Sequence, residues 1–191
     1  MLRVTASFLA SFKIGDNIHY NLSVLRILYK AQGALCASEA VFLEKPITVL
    51  LVSICEAIIY DFIKRSQWFT IEGIHGLSQD HINILRESKA WSMEKKIELI
   101  KKINVLQMSD HSAYDYLDNL SRLRNRIHIQ NEKENFEADE ILAFTKPRRI
   151  QAEKMVELLM KKISRLYPRP GHIQMSQYVE DFYLPWEPHF S

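Results

Sequence analysis

Between Pro46 and Gln67 the chain reads PITVLLVSICEAIIYDFIKRSQ, apolar around nearly its whole circumference if wound as a helix. Such a helix belongs at the centre of a bundle, and Pro46 suits its first turn. Glu56 and Asp61 interrupt the stretch Ile47–Ile63, which is too short and too charged to span a bilayer. Upstream, Ile18, Leu22, Leu25, Ile27 and Leu28 share a helical face that Asp16 can cap, predicting a helix from there to Lys30 or Cys36. Residues 1–15 read as a short extended segment, and SQWFTIEGIHG as a connection. Ser78 or Asp80 opens a short helix, LSQDHINILRESK. Ser92 opens WSMEKKIELIKKINVL, with a stripe of Ile97, Leu99, Ile100, Ile103 and Leu106. Ser109 or Asp110 caps SAYDYLDNLSRLRNRIHI; a polar loop, QNEKENFEADE, leads to the last helix, KPRRIQAEKMVELLMKKISRLY, which Pro168 and Pro170 stop.

These elements predict an all-α fold, a four- to five-helix up-down bundle. An N-terminal segment (1–17) precedes the helical domain (18–169), and an aromatic, proline-containing tail (170–191) follows it. The tail carries Tyr178, Phe182, Tyr183, Trp186 and Phe190, enough apolar surface to dock on the bundle.

Composition agrees with helices joined by short loops: the chain has only five glycines and six prolines among 191 residues. The formal charge of +2 is small, but the tail contributes −3, which leaves everything before Pro170 at +5. Basic residues cluster at 122–126, 146–149 and 161–169, a distribution compatible with a polyanionic partner. Cys36 and Cys55 lack CxxC spacing and sit in apolar sequence, so both read as reduced core residues. No apolar stretch near the N-terminus is long enough for a secretory signal, so the expected location is cytoplasmic, with no membrane partner. Walker, GxGxxG, HExxH and GxSxG motifs are all missing, which removes those enzyme classes.

The chemistry concentrates in SRLRNRIHIQN, residues 121–131. At about 100° per residue, with Leu120 at zero, Ala113, Tyr116, Leu117, Leu123 and Ile127 fall within roughly 60° and define a buried face. Arg122 and Arg126 lie on the opposite side of that helix, pointing to solvent or phosphate, whereas Arg124 and His128 border the apolar face. Asn125 sits beside them. A neutral imidazole next to a fixed guanidinium suits phosphodiester cleavage: the first moves a proton, the second holds developing phosphate charge.

Elsewhere, Glu56 on the most apolar stretch is either a buried carboxylate bonded to another helix or an orienting partner for Arg124. Lys146, Arg148 and Arg149 offer RNA phosphate contacts or a solvated helix start. Asp110, His111 and Asp115 read as a helix N-terminus in preference to a metal cluster, since no second ligand group has matching spacing; neither metal nor cofactor is expected. Tyr114 and Tyr116 can stack bases, though packing is the expected role for most of the aromatics.

The motif LSRLRNRIHIQN, late in a helix of an all-α chain, resembles the signature of the HEPN superfamily: an arginine followed by a polar residue, with a histidine several residues beyond. The glutamate in VSICEAIIYDF and the KKIELIKKI helix extend the likeness over about residues 18–166. Arg124-Asn125 supplies the dipeptide, but three residues separate Arg124 from His128, one fewer than the usual minimum. Arg122 has five residues before His128, but Leu123 follows it. Arg124 fits both the dipeptide and the face of an unbroken helix; a bend before His128 would restore Arg122. Gln130 stands where one subset of the family carries a modified tyrosine. The resemblance implies a metal-independent endoribonuclease, a toxin or phage-defence effector, with a composite site at a homodimer interface. His128 would be the acid or base, Arg124 the charge stabiliser and Asn125 an orienting group. An antitoxin such as a nucleotidyltransferase is the implied partner. The alternatives are a catalytically inactive helical module of the same fold that binds RNA or protein, and an unrelated helical nucleic-acid binder.

Overall fold

The computed structural model describes residues 2–69, 74–89, 92–127, 139–170 and 179–190. Its centre is α3 (Glu44–Lys64), reached from α1 (Phe12–Ala34) through a short helix, α2 (Ala37–Ala40), and a 3-10 turn (Val41–Leu43). Ile47, Leu51, Ile54, Cys55, Ile58, Ile59 and Phe62 are buried around most of its circumference, as a largely apolar helix requires. By length and composition Ala37–Trp68 is apolar enough to cross a membrane; most of its apolar window is buried inside the fold. Around it stand α1, α5 (Met93–Lys102), α6 (Ser112–Arg124) and α8 (Lys146–Leu166), while α4 (Gln79–Glu87) packs on the turn after α3 and α7 (Glu140–Ala143) leads into α8. The fold is mostly helical, as the apolar periodicity predicts.

Ion pairs and hydrogen bonds fix the directions. Gln32 near the end of α1 donates to Glu44 at the start of α3, and Ala10 before α1 donates to Asp61 near the end of α3, so the two run antiparallel. Arg149 in the first turn of α8 also meets Glu44, and Arg65 just past α3 meets Tyr167 just past α8, so α3 and α8 run parallel.

Helix boundaries differ from the sequence reading where tertiary contacts replace local caps. Instead of starting at Asp16, α1 starts at Phe12, because the Asp61 carboxylate accepts the backbone N–H groups of Ala10 (2.7 Å) and Ser11 (3.1 Å). A cap supplied by another helix leaves no local signal. Likewise α3 runs on into the expected connection as a π turn over Arg65–Phe69. At Lys102 α5 stops; Ile103 and Leu106 are buried in a turn where Asn104 and Gln107 have positive φ. The caps read from sequence at Ser78 and Ser92 are present, each accepting the N–H three residues on. Cys55 is buried, but Cys36 is exposed between α1 and α2, contrary to the core position expected for it.

The two ends of the chain meet. β1 (Leu2–Val4) pairs antiparallel with β2 (Phe182–Leu184), and Arg3 bridges Asp181 at 2.6 Å. Phe182, Leu184 and Trp186 are buried, Tyr183 and Phe190 are exposed, and Tyr178 lies outside the described residues. The last turn of the tail is held by Glu157, whose buried carboxylate accepts the N–H groups of His189 and Phe190.

Gly15 allows the tail to approach α1: a Cβ there would lie 2.7 Å from Val179 Cγ1 and 2.9 Å from Leu9 Cδ1. Gly33, on the same helix, would meet nothing within 4 Å. Alanine at the two positions therefore has opposite effects. Gly33→Ala should stabilise by about 0.5–1 kcal/mol through helix propensity, whereas overpacking at Gly15→Ala should cost a net of about 1 kcal/mol. Thermal unfolding of the pair measures this; two shifts of equal sign would refute the close approach.

Candidate functional site

The helix that carries the arginine motif ends inside the motif. At Arg124 α6 gives way to a 3-10 turn, Asn125–Ile127. Asparagine competes for backbone hydrogen bonds and suits a helix end. The α-helical facing therefore applies only as far as Arg124 and does not place Arg126. Arg126 is buried, with 7% of its surface exposed, and the solvent or phosphate position expected for it is corrected accordingly. The buried face of α6 is also rotated: Tyr114 and Ser121 are buried while Tyr116 and Ile127 are exposed. That rotation moves Arg124 nearer the buried side, where it is half-buried. His128 lies outside the described residues.

Arg124 and Asn125 open into a polar cleft of about 400 Å³ between α3, the start of α5 and the end of α6. Glu56, from the middle of α3, faces Arg124 across it, with Oε2 3.5 Å from Nη2. That is longer than a tight charge-assisted hydrogen bond of about 2.7–2.9 Å, so the pair orients the guanidinium without saturating it. Arg124 Nε is buried and has no hydrogen-bond partner among the described residues. Burial raises the pKa of Glu56, and the positive charges of Arg124 and Lys96 pull it back down. Lys96 also lines the cleft, as does Arg122, which pairs with Asp118 at 2.8 Å. With Glu94, the cleft balances three cations against three carboxylates. A phosphate entering it must therefore compete for the arginines, and the loosely held Arg124 is the easier one to win.

The other predicted phosphate contacts do not share this cleft. Lys146 is exposed at the start of α8. Arg148 donates to the carbonyls of Leu142 and Ala143, closing the turn between α7 and α8. Arg149 is buried between Glu44 (2.8 Å) and Glu153, and is not placed to meet a phosphate. Tyr114 is buried, its hydroxyl accepting from the N–H of Leu106 and donating to Asn104, so it packs and does not stack bases. Asp110 accepts from the N–H and hydroxyl of Ser112, which holds its pKa below the usual carboxylate range, and Asp115 pairs with Lys101. Both belong to the helix start.

Lys96 and Asp118 were not legible as site residues. Lys96 stands one position before Ile97 on the edge of the buried face of α5, and edge positions carry charge in most amphipathic helices. The class defined is thus an all-α protein with a charged cleft at the end of one helix. Comparison of the chain with protein-family models, with curated proteins and with solved structures returned no match.

Proposed function

We propose that the chain is a HEPN-like, metal-independent endoribonuclease whose catalytic groups are Arg124, Asn125 and His128. The observation that carries the reading is the position of Arg124: at the mouth of a cleft, oriented by Glu56 and with Nε unmatched among the described residues. In this mechanism the RNA 2′-hydroxyl attacks the adjacent phosphorus and the 5′-oxygen leaves, giving a 2′,3′-cyclic phosphate and a 5′-hydroxyl. His128 transfers the proton, Arg124 receives the negative charge of the phosphorane, and Asn125 orients one of them. Two copies about a twofold axis would supply the complete set of groups. An antitoxin partner and a toxin or defence role in the cytoplasm belong to the same reading.

The ion pairs of the cleft favour a second reading, a catalytically silent module that binds RNA or a protein, because Arg124 and Arg122 each already have a carboxylate. One experiment separates the two: cleavage of single-stranded RNA in excess chelator by wild type, Arg124→Ala and His128→Ala. The expected loss is on the order of 10²–10³-fold for each variant, with cyclic phosphate ends in the wild-type product. RNA bound but uncut by wild type supports the silent module; equal cleavage by all three removes the catalytic assignment.

A further inference from the structure

We propose that a single strand of RNA leaves the Arg124 cleft along the outer face of α3, with bases stacked on Tyr60 and Trp68 and phosphates on Lys64, Lys89 and Lys96. The inference rests on the reading of the cleft as an RNA site and adds the path that the strand takes beyond it and the groups that hold it there.

Glu56, Tyr60, Lys64 and Trp68 follow one another at intervals of four. From Glu56 to Lys64, on α3, that spacing makes a strip with steps of about 6 Å, and Trp68 in the π turn joins it through its ring, 4.3 Å from the Lys64 ammonium. The strip starts in the cleft, because Glu56 lines it. Lys96 lines both the cleft and the next groove, where it meets Tyr60, Lys64 and Lys89. The two depressions therefore share a wall. Unlike the cleft, the second groove has three lysines and no carboxylate among its lining residues, so it presents net positive charge along the path.

The aromatic rings on this path remain at the surface. Trp68 is 71% exposed and Tyr60 39%, though each carries enough apolar area to favour burial. The Lys64 ammonium lies 4.3 Å from the Trp68 ring centroid and 5.6 Å from that of Tyr60; Lys96 lies 5.2 Å from Tyr60. These cation–π contacts hold the rings upright beside the positive charges. The turn that carries Trp68 is itself fixed from inside, because its first residue, Arg65, donates to the carbonyls of Phe8, Tyr167 and Pro168. Exposed rings flanked by ammonium groups are what an unpaired strand needs: each ring offers a face to a base, and each lysine can turn to a phosphate. Duplex RNA offers phosphates but no free base face, since its bases are already stacked on one another.

The test uses the full chain and a short, fluorescently labelled 2′-O-methyl oligouridylate, which lacks the attacking hydroxyl and so reports binding alone. Tyr60→Ala and Trp68→Ala should each weaken binding roughly 5- to 100-fold. The phenylalanine variants should bind nearly as wild type, and a blunt RNA duplex should bind independently of both rings. Lys64→Ala should lower the slope of log affinity against log salt by about 1. Undiminished binding by the alanine variants overturns the proposal, as does equal loss on duplex, no binding by wild type, or displacement by polyglutamate as effective as by unlabelled strand. Cleavage that survives while binding ignores the rings leaves the cleft reading in place without the strip. Ring-dependent binding without cleavage keeps the strip and removes the nuclease.

Discussion

Replacing Arg65 with alanine is expected to lower the unfolding free energy by about 4 kcal/mol at neutral pH. The residue is 1% exposed and its guanidinium donates to three carbonyls: Tyr167 at 2.5 Å, Pro168 at 3.2 Å and Phe8 at 3.4 Å. Burial lowers its pKa to about 10, with Arg169 adding to the fall and Asp61 opposing it, so it stays charged at neutral pH. Its loss leaves three carbonyls without that donor and removes a positive charge near Asp61. Burial already pushes the Asp61 carboxyl up to about 6, against two backbone amides and two arginines. The truncation also opens a cavity beneath the segment that leads into α1. Arg65→Lys should recover only part of the loss, because a single ammonium cannot reproduce the planar fork. Urea unfolding followed by circular dichroism measures both; a midpoint unchanged in Arg65→Ala would falsify the role assigned to the network.

The second large effect concerns a residue whose sequence suggested RNA. Arg149→Met should cost about 3–5 kcal/mol, because it leaves Glu44 and Glu153 buried without the cation between them. Glu153 also accepts from the Tyr29 hydroxyl at 2.5 Å and contacts His189 Nε2 at 2.9 Å, so the damage reaches α1 and the tail. Chemical unfolding of the variant beside wild type measures the cost. A phosphate ligand would behave differently: the variant would keep its stability and lose salt-dependent RNA binding.

These two arginines show where sequence reading stops. In KPRR, Lys146, Arg148 and Arg149 are equally basic, and nothing within the run separates them. One is exposed, one closes a turn and one is buried, because a carboxylate 105 residues away in the chain reaches only the last. The arginine helix divides in the same way. Its period makes Arg122 more exposed than Arg124, which holds although both line the cleft. But it assumes an unbroken helix; the helix ends at Arg124, and Arg126 beyond it is buried. The pairing of Arg124 with Glu56 was legible as one of two options, since a lone carboxylate on an apolar stretch needs a partner. The cleft beside them was not, because its remaining wall, with Lys96 and Glu94, comes from another helix with no local mark.

The sequence by itself determined that the chain is helical, that residues 46–63 form its centre and that one of its helices ends in a run of arginines. These follow from apolar periodicity and from residue types that cannot be buried alone, which are local properties. The tertiary structure alone decided where α1 begins, which basic residues leave solvent, and that a charged cleft continues into an aromatic strip along α3. Each depends on groups far apart in the chain: Asp61 capping α1, Glu44 holding Arg149, Lys96 reaching Tyr60. A charge is buried or exposed according to the partner that packing delivers to it, and periodicity along one segment does not contain that partner.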